Sequence, residues 1–350
     1  MSEQKIRIGD KVVGGGEPCF IVAEISCNHL QNKEYALKLV EEAKKAGADA
    51  VKFQAYTPDI LTINEDNEYF RMEKSIWRGK TLYELYSEAY TPMDWFPELK
   101  QKTEREGLVF LSSVFDEGTV DFLEDLGAPA YKLASFEINH IPLLKKIAKT
   151  GKPIILSTGV AELEDIGLAI NTLRESGAKE IIVLKCVSSY PAPYVGMNLK
   201  IIPDIRERFG VLTGLSDHSM TPSVPVAAVA LGADMIEKHF ILDRKSESPD
   251  RAFSLMPKEF ADTVKLVREA EAACGKADYT LSKEAKEHKF FMRSIFAVKN
   301  IKSGEKFTED NIRIIRPGYG LHPRYYEEAL GHHANSDINR GTPLTKEMID

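Results

Sequence analysis

The chain has 350 residues, with 46 Lys and Arg against 53 Asp and Glu, so its formal net charge at pH 7 is −7. Apolar residues make up 43% of the chain and charged residues 28%, values that are ordinary for a globular protein and exclude a fibrous or disordered one. The chain has no basic surplus for binding nucleic acid, so we expect no nucleic-acid partner.

The N-terminal segment MSEQKIRIGD lacks the basic and apolar character of a signal peptide, and no apolar run reaches the ~18 residues that a membrane span needs. We therefore expect a cytoplasmic protein of a bacterium or archaeon with no membrane partner. The four cysteines are far apart and form no CxxC pair, which predicts buried free thiols rather than disulfides or a zinc site. They are Cys19, Cys27, Cys186 and Cys274.

One pattern recurs from about residue 18 to residue 275: an amphipathic helical segment, a glycine, and a short apolar run that ends in polar residues. The clearest example is the helical pattern of residues 35–46, followed by Gly47 and a predicted strand at 49–55. With an opening strand at 19–26, eight β-α units are predicted, which favours an α/β fold of the (β/α)8 TIM-barrel type over a doubly wound sheet. Similar junctions follow at Gly107, Gly127, Gly151, Gly177, Gly210 and Gly232.

Polar side chains mark the predicted carboxyl ends of these strands. In a closed barrel the ends meet at one mouth, where the active sites of this fold lie. Because side chains alternate along a strand, Lys52 and Gln54 share one face of their strand, as do Glu237 and His239 of theirs. The strand-end residues are Glu24; Lys52 and Gln54; Ser112 and Ser113; Lys132 and Ser135; Ser157 and Thr158; Ser188 and Ser189; Ser216, Asp217 and His218; Glu237 and His239.

The connection after the second strand, residues 57–92, is long enough to form a substrate lid beside the barrel mouth. Its aromatic residues, and one just beyond it, either form the core of the insertion or pack on the apolar face of a ligand such as a sugar. They are Trp77, Tyr83, Tyr86, Tyr90 and Trp95.

The repeating pattern stops at residue 275. We predict a barrel domain over residues 1–275, a polar linker over 276–292 and a small β-rich domain over 293–350. Within the small domain, residues 301–312 resemble residues 338–349, which suggests a compact pseudo-symmetric β fold without a deep active site of its own.

His218 and His239 end consecutive predicted strands, next to Asp217 and Glu237. A histidine at such a position is either a hydrogen-bonded structural group or a metal ligand, and the pairing favours the metal. Two imidazoles, with the remaining positions left to water or substrate oxygens, suit Mn²⁺, Fe²⁺ or Zn²⁺. An open site of this kind can polarise a carbonyl group.

Lys52 and Lys132 lie inside apolar strands, where a charge is costly unless it is paired or meets an anion. Three interpretations stay open: a salt bridge to Glu24 or Glu237, a site for a phosphate or carboxylate, or a Schiff-base lysine of an aldolase. Glu24 would bind a sugar hydroxyl, shuttle a proton or only balance Lys52. The hydroxyls that would complete an anion site are those of Ser113, Ser135, Ser157, Ser188 and Ser216.

Seven short motifs at these strand ends, in this order, resemble those of the sialic acid synthase family, whose members condense phosphoenolpyruvate with an amino sugar to a nine-carbon 2-keto acid. The resemblance covers nearly the whole chain and implies a transferase that forms a C–C bond. The segment RPGYGLHP at 316–323 is similar to the antifreeze-like (SAF, β-clip) domain that ends these synthases. The motifs are AEISCNH (23–29), VKFQ (51–54), LSSVFD (111–116), YKLAS (131–135), ILSTG (155–159), GLSDH (214–218) and IEKHF (236–240).

Within the family, the lid sequence WRGKTLYELY at 77–86, followed by AYTP at 89–92, is most similar to pseudaminic acid synthases, whose sugar is 2,4-diacetamido-2,4,6-trideoxy-altrose. An aromatic lid suits a ligand that carries a methyl group and two acetamides in place of hydroxyls. The alternatives within the family are N-acetylneuraminate synthases, legionaminate synthases and spore-coat polysaccharide synthase homologues. The alternatives outside it are a Schiff-base pyruvate aldolase and an inactive barrel with a carbohydrate- or ice-binding tail.

The resemblance also implies roles for individual residues. His218 and His239 would bind a divalent metal, for which we expect Mn²⁺ with Mg²⁺ or Co²⁺ as alternatives, and Glu24 and Glu237 would join them as catalytic residues. Arg316 would reach the site of a neighbouring subunit, which requires a domain-swapped homodimer. The implied phosphoenolpyruvate contacts are Lys52, Ser113, Lys132, Ser135, Ser157, Ser188 and Ser216; those implied to face the sugar or the metal-bound water are Glu24, Gln54, Tyr190, Glu237 and Asp250.

Two positions depart from the family pattern: Val114 stands where a proline is usual and Ser248 where a glycine is usual. We expect a β-carbon at position 248 to narrow the sugar pocket. The implied mechanism starts with attack of C3 of phosphoenolpyruvate on the aldehyde of the open-chain sugar, which the metal polarises. Water then adds at C2, and C–O cleavage releases phosphate.

Overall fold

The structure, a computed structural model, describes residues 4–74 and 76–350. The chain divides into two compact units, the first extending to Gly275 and the second comprising Lys276–Asp350. Within the described residues, no helix combines the length and the hydropathy that crossing a membrane requires.

The described residues of the first unit form ten strands. β1 (Lys5–Ile8) and β2 (Lys11–Gly14) form an antiparallel hairpin. The other eight form a closed parallel barrel in which each strand pairs with the next and the last pairs with the first, which confirms the predicted TIM-barrel fold. They are β3 (Phe20–Glu24), β4 (Ala50–Ala55), β5 (Val109–Val114), β6 (Tyr131–Leu133), β7 (Ile154–Ser157), β8 (Ile181–Cys186), β9 (Leu212–Asp217) and β10 (Met235–His239).

The β1–β2 hairpin is not predicted by the β-α repeat, although its alternating apolar residues and two-residue turn are a recognisable signal. Gly9 adopts φ +61° in that turn. The fully buried side chains of Ile6 and Ile8 belong to one apolar cluster with residues that begin the barrel strands, among them Ala50 and Leu212. The hairpin therefore plugs the N-terminal end of the barrel.

Helices follow the barrel strands and cover them from outside. At the start of the first helix the Asn32 side chain accepts a hydrogen bond from the Tyr35 N–H, and the apolar face of this helix, Ala36, Leu39, Val40 and Ala43, is buried. Gly47, with φ +90°, follows its end. The helices are α1 (Lys33–Lys45), α2 (Pro58–Leu61), α3 (Leu82–Ala89), α4 (Phe96–Arg105), α5 (Glu117–Leu126), α6 (Ile141–Ala148), α7 (Leu163–Glu175), α8 (Ile201–Phe209), α9 (Ser223–Ala230) and α10 (Pro257–Cys274).

Side chains alternate along β4 as the sequence predicts. Val51 and Phe53 pack into the core between the barrel and its helices, where Phe53 stacks on Phe110 at 6.0 Å. Lys52 and Gln54 point into the lumen and line a cavity there. Because of this alternation, an otherwise apolar strand places two polar side chains in the lumen.

The connection after β4 contains the helices α2 and α3. The Thr81 hydroxyl accepts a hydrogen bond from the Glu84 N–H (3.1 Å), and the Glu84 carboxylate accepts one from the Thr81 N–H (2.8 Å). This capping box determines where α3 begins.

The second unit contains α11 (Lys283–Glu287), β11 (Ser294–Ala297), β12 (Ile312–Ile315) and α12 (Tyr326–Leu330). The two similar segments found in the sequence pair at their first residues, Ile301 and Ile338, which exchange two backbone hydrogen bonds of 2.8 Å. Both side chains are buried in the core of this unit. The internal repeat is therefore also a structural pairing.

The four cysteines are free thiols. Cys19, Cys27 and Cys186 are buried as predicted, but Cys274 is exposed. The prediction of burial is wrong at Cys274 because this residue ends α10, where the apolar face of the helix has already stopped.

Candidate active site

A cavity of about 610 Å³ opens at the carboxyl ends of the barrel strands. The strands and the loops that follow them supply its polar lining, and the connection after β4 supplies part of its apolar wall. The sequence-predicted residues that line it are Lys52, Gln54, Ser113, Lys132, Ser135, Ser157, Tyr190, Ser216, His218, Glu237, His239 and Asp250.

A buried ion cluster surrounds Lys52. Its Nζ lies 2.6 Å from Glu24 Oε2 and 3.5 Å from Glu237 Oε1, and donates to Ser113 Oγ at 3.1 Å. Burial by itself lowers the pKa of Lys52, but Glu237 and Glu24 more than offset it, so that the pKa is raised. Lys52 therefore remains an ammonium ion inside the barrel.

Lys132 is less well neutralised. Its Nζ donates to the Leu133 carbonyl at 3.1 Å, and within the described residues the one carboxylate within 4 Å of it is Glu237, at 3.9 Å. Burial lowers the pKa of Lys132 more than Glu237 raises it. Glu237 also accepts from Ser216 Oγ (3.1 Å); burial would raise its pKa, but Lys132 and Lys52 hold it below the usual range. An anion in the cavity would complete the partners of Lys132.

Serine hydroxyls and Gly159 form a small cradle near the ends of β6, β7 and β8. The Gly159 N–H donates to Ser135 Oγ at 2.9 Å. The hydroxyl oxygens of Ser157 and Ser188 are buried and have no hydrogen-bond partner within residues 4–74 and 76–350. Unpartnered buried hydroxyls are rare, and here they are suited to donate to a bound anion.

His218 and His239 lie side by side, with ring centroids 5.3 Å apart. His218 Nδ1 is 3.1 Å from the Val187 carbonyl oxygen, and His239 Nδ1 is 3.4 Å from Asp250 Oδ2. No group of three or more metal-type side chains occurs in the described part of the chain. The two imidazoles could supply two ligands to an open metal site, whose other positions would belong to water or substrate, and the metal stays a prediction.

Two acidic residues singled out in the sequence do not face the cavity. Asp217 pairs with Lys238 at 2.6 Å on the other face of the strands, and both side chains are 1% exposed. Glu24 is buried behind Lys52 and accepts a hydrogen bond from Gln54 Nε2 at 2.8 Å. Its carboxylate is the charge partner of Lys52, one of the three interpretations left open above, and a contact of Glu24 with substrate stays a prediction.

Four further residues named in the sequence analysis have different outcomes. The Ser248 hydroxyl donates to Asn28 Oδ1 at 2.5 Å, away from the main cavity, so the predicted narrowing of the pocket is wrong. Val114 is fully buried in the core between barrel and helices. Ser188 does not line the main cavity, although its hydroxyl belongs to the serine cradle. Arg316 lies in the second unit, and its reach into a neighbouring subunit stays a prediction.

The aromatic residues of the lid divide between two groups: those that line the cavity, where a ligand could pack on them, and those that belong to the core of the insertion. Trp77 and Tyr86 line the cavity, whereas Tyr83, Tyr90 and Trp95 do not. Trp77 Nε1 donates to the Pro249 carbonyl at 3.1 Å, which connects the lid to the loop after β10.

Glu137 is a cavity residue that the sequence analysis does not single out. It belongs to a short 3-10 helix after β6, and one of its carboxylate oxygens is buried without a hydrogen-bond partner in the described residues. Burial raises the pKa of Glu137 to about 7, although Lys132 and Lys52 act in the opposite direction. A carboxyl group that is half protonated near neutral pH is suited to proton transfer. The sequence signal for its place in the cavity is its position two residues after Ser135, which does not indicate its burial.

Comparison with known proteins agrees with this arrangement. Residues 39–279 match the NeuB family and residues 292–350 match the SAF domain. Pseudaminic acid synthase of Campylobacter jejuni is 46% identical over 325 residues, covering 93% of this chain and 95% of the relative. Pseudaminic acid synthase of Helicobacter pylori is 40% identical over 335 residues, covering 95% and 98%.

A solved structure gives the same result in three dimensions. The spore coat polysaccharide biosynthesis protein SpsE of Bacillus subtilis is similar with a TM-score of 0.69 and 35% identity, covering 99% of each chain. Its match extends over both units of this chain. The chain therefore belongs to the NeuB family, the sialic acid synthase family whose motifs line its cavity, and it ends in a SAF domain.

Proposed function

We propose that this enzyme is a pseudaminic acid synthase, which condenses phosphoenolpyruvate with 2,4-diacetamido-2,4,6-trideoxy-altrose to a nine-carbon 2-keto sugar acid and phosphate. The observation that supports it best is the combination, in one cavity, of two buried lysines, a serine cradle and a histidine pair. The named Campylobacter and Helicobacter relatives support the choice of sugar.

The lysines and serines would hold phosphoenolpyruvate. Lys132 has room for an anionic partner, and the hydroxyls of Ser157 and Ser188 are free to donate. Hydroxyl donors add no net charge, so they orient a phosphate or carboxylate without preventing its later release. Lys52 is already paired with Glu24 and would add positive charge at the base of the cavity.

The histidine pair would hold the divalent metal, with Mn²⁺ as the expected ion, and the bound metal would supply Lewis-acid polarisation of the aldehyde carbonyl. The residues around the histidine pair restrict the orientation of the two imidazole rings. Phe253 packs against both imidazole rings, with centroids 5.6 Å from His218 and 4.8 Å from His239, and Asp250 lies beside His239. Rings held in this way keep the donor atoms in place before a ligand arrives.

The proton transfers would fall to Glu137 and Glu237. As C3 of phosphoenolpyruvate attacks the aldehyde carbon, the aldehyde oxygen gains a proton, for which protonated Glu137 is the donor. Water then adds to C2 with loss of a proton to ionised Glu237. The tetrahedral intermediate collapses to the ketone by C–O cleavage, its C2 hydroxyl proton leaves with the phosphate, and return of the proton from Glu237 to Glu137 through solvent restores both carboxyl groups. The sum is phosphoenolpyruvate plus sugar plus water giving 2-keto acid plus phosphate.

The test is phosphate release from phosphoenolpyruvate, with Mn²⁺ or a chelator, and with the altrose sugar and N-acetylmannosamine offered in parallel. Release with the altrose sugar alone would support the proposal. Release with N-acetylmannosamine would assign the enzyme to the N-acetylneuraminate branch, and legionaminate and spore-coat sugars would be tried next if neither is used. A Schiff-base aldolase, which the lowered pKa of Lys132 would also suit, predicts borohydride trapping of a lysine and no effect of the chelator.

Gly159→Ala is expected to lower kcat/KM for phosphoenolpyruvate by about 10²-fold while the fold persists. The added β-carbon would lie 2.8 Å from Ser135 Oγ and 3.0 Å from Cys186 Sγ, and nearer still to Ser188 Oγ, so it would fill the cradle. Gly167→Ala in α7 is the matched control, because its β-carbon would meet Phe209 only at 3.7 Å. Equal activity of the two variants would contradict the anion cradle.

Glu137→Gln is expected to reduce kcat by about 10²-fold and to stabilise the protein at alkaline pH. Because the folded state raises the pKa of Glu137 to about 7, its contribution to stability is complete below pH ~4.5 and is lost as the pH rises through 7. Glutamine cannot ionise, so the variant should be more stable by about 1–2 kcal/mol at pH 8.5 and by less at pH 5.5. Urea unfolding at both pH values checks this, and a difference that does not grow with pH would contradict it.

We further propose a cytoplasmic, domain-swapped homodimer in which Arg316 acts in the site of a neighbouring subunit. The four free thiols suit a reducing compartment. The second unit exposes a contiguous aromatic cluster in which Phe290 contacts Phe291 at 5.2 Å and Tyr319 at 5.7 Å. An exposed apolar cluster of this kind is typical of an association surface.

Mixing inactive subunits tests the swap. Arg316→Ala and Lys132→Met are each expected to be nearly inactive alone, but co-expressed subunits should recover about a quarter of the wild-type activity, because one in four sites then receives intact residues from both chains. No recovery in a dimer of confirmed mixed composition would contradict the swap.

A further inference from the structure

One face of α3 forms a continuous wall of the cavity. Leu82, Leu85, Tyr86 and Ala89 all line it, at positions i, i+3, i+4 and i+7 of the helix. Leu61 of α2 extends the same surface. The capping box at the start of α3 determines which residues occupy this face.

This wall lies beyond the strand ends, since α3 belongs to the connection that follows β4. The lysines, serines and histidines sit on the strands or directly after them. The cavity therefore has a polar base and a mainly apolar outer wall, to which Lys74 of the same connection adds one charged side chain. Under the proposed function the aldehyde carbon reacts at the base, so the opposite end of a six-carbon sugar faces α3.

We propose that the inner face of α3, through its two leucines Leu82 and Leu85, selects sugars that carry a methyl group instead of a hydroxymethyl group at C6. The proposal rests on the proposed function and specifies its acceptor class. A C6 hydroxyl placed against the two leucines would lose its water partners without gaining a hydrogen bond, whereas a methyl group fills the same space favourably.

Tyr86 supplies the polar group of this face. Burial, reinforced by Glu137, raises the pKa of its phenol, which therefore stays protonated and able to donate. A single phenol donor on an otherwise apolar surface suits a sugar that carries an acetamido carbonyl better than a sugar that carries several hydroxyls. The face thus matches a sugar with acetamido and methyl substituents.

The experiment compares two acceptors that differ only at C6: the 2,4-diacetamido-2,4,6-trideoxy-altrose and its 6-hydroxy counterpart. The wild-type enzyme is expected to prefer the deoxy sugar in kcat/KM by about 100-fold, the discrimination typical of an apolar pocket against an added hydroxyl. Leu82→Asn, which keeps the side-chain size and adds an amide, is expected to reduce this preference to about 10-fold.

Two further variants complete the design. Ile63→Asn is the matched control, because Ile63 lies in the same connection, is 60% exposed and does not line the cavity. This variant should prefer the deoxy sugar as strongly as the wild-type enzyme does. Ala89→Ser introduces a single oxygen in the last turn of α3. If Leu82→Asn does not fold, the sugar preference of Ala89→Ser is measured instead.

The outcomes separate this inference from the proposed function. No phosphate release with any acceptor sugar would defeat the proposed function itself. Turnover of the deoxy sugar with no discrimination against its 6-hydroxy counterpart would overturn only the role of α3. The same holds if folded Leu82→Asn and Ala89→Ser keep the wild-type preference.

Discussion

Lys132→Met is expected to lower kcat/KM for phosphoenolpyruvate by about 10²–10³-fold, the effect of removing one charged donor from a preorganised site. Methionine keeps the length of the side chain but not the charge. Lys132 is the residue to change because its nearest acidic neighbour, Glu237, is 3.9 Å away, whereas Lys52 is already paired at 2.6 Å. Steady-state kinetics at varied phosphoenolpyruvate and saturating sugar would measure the loss.

The matched control is Lys185→Met. Lys185 also lies in a barrel strand, and its Nζ also donates to the carbonyl of the next residue, Cys186, at 2.8 Å. Lys185 does not line the cavity, so its removal is expected to leave kcat/KM within about twofold. An equal loss in both variants would indicate a general effect on the barrel and would contradict an anion site at Lys132.

His218→Ala is expected to lower turnover by about 10³-fold and to weaken Mn²⁺ binding in titration calorimetry, because one of two imidazole ligands is removed. Chelation of the wild-type enzyme should cause a loss of similar size that added Mn²⁺ reverses. His332→Ala is the control, since that histidine is half-buried in the second unit, where it pairs with Asp350. Full metal-dependent turnover by His218→Ala would refute the assignment of the pair.

The barrel could be predicted because its signals are local and repeated. Each unit repeats a helix, a left-handed glycine such as Gly47 and a short apolar strand. The alternation of Lys52 and Gln54 with Val51 and Phe53 then determines which side chains reach the lumen. Convergence of polar residues at the mouth follows from closure of the barrel alone.

The remaining features depend on contacts between distant segments. Glu137 acquires its raised pKa from burial, which no pattern around residue 137 indicates. Asp217 and His218 are adjacent in sequence, yet only His218 faces the cavity, because Asp217 turns to its partner Lys238. Ser248 avoids the pocket through a hydrogen bond to Asn28, a residue 220 positions earlier.

The plug formed by Ile6 and Ile8 has a consequence for the order in which substrates bind and products leave. The cavity opens at the carboxyl ends of the strands, and packed side chains of the barrel interior and the hairpin close its base, so both reactants and both products use the same opening in turn. Under the proposed function phosphoenolpyruvate occupies the deep position and must enter before the sugar, and the sugar acid must leave before phosphate. A sugar that arrives early would block its own co-substrate, so excess sugar should slow the enzyme when phosphoenolpyruvate is scarce.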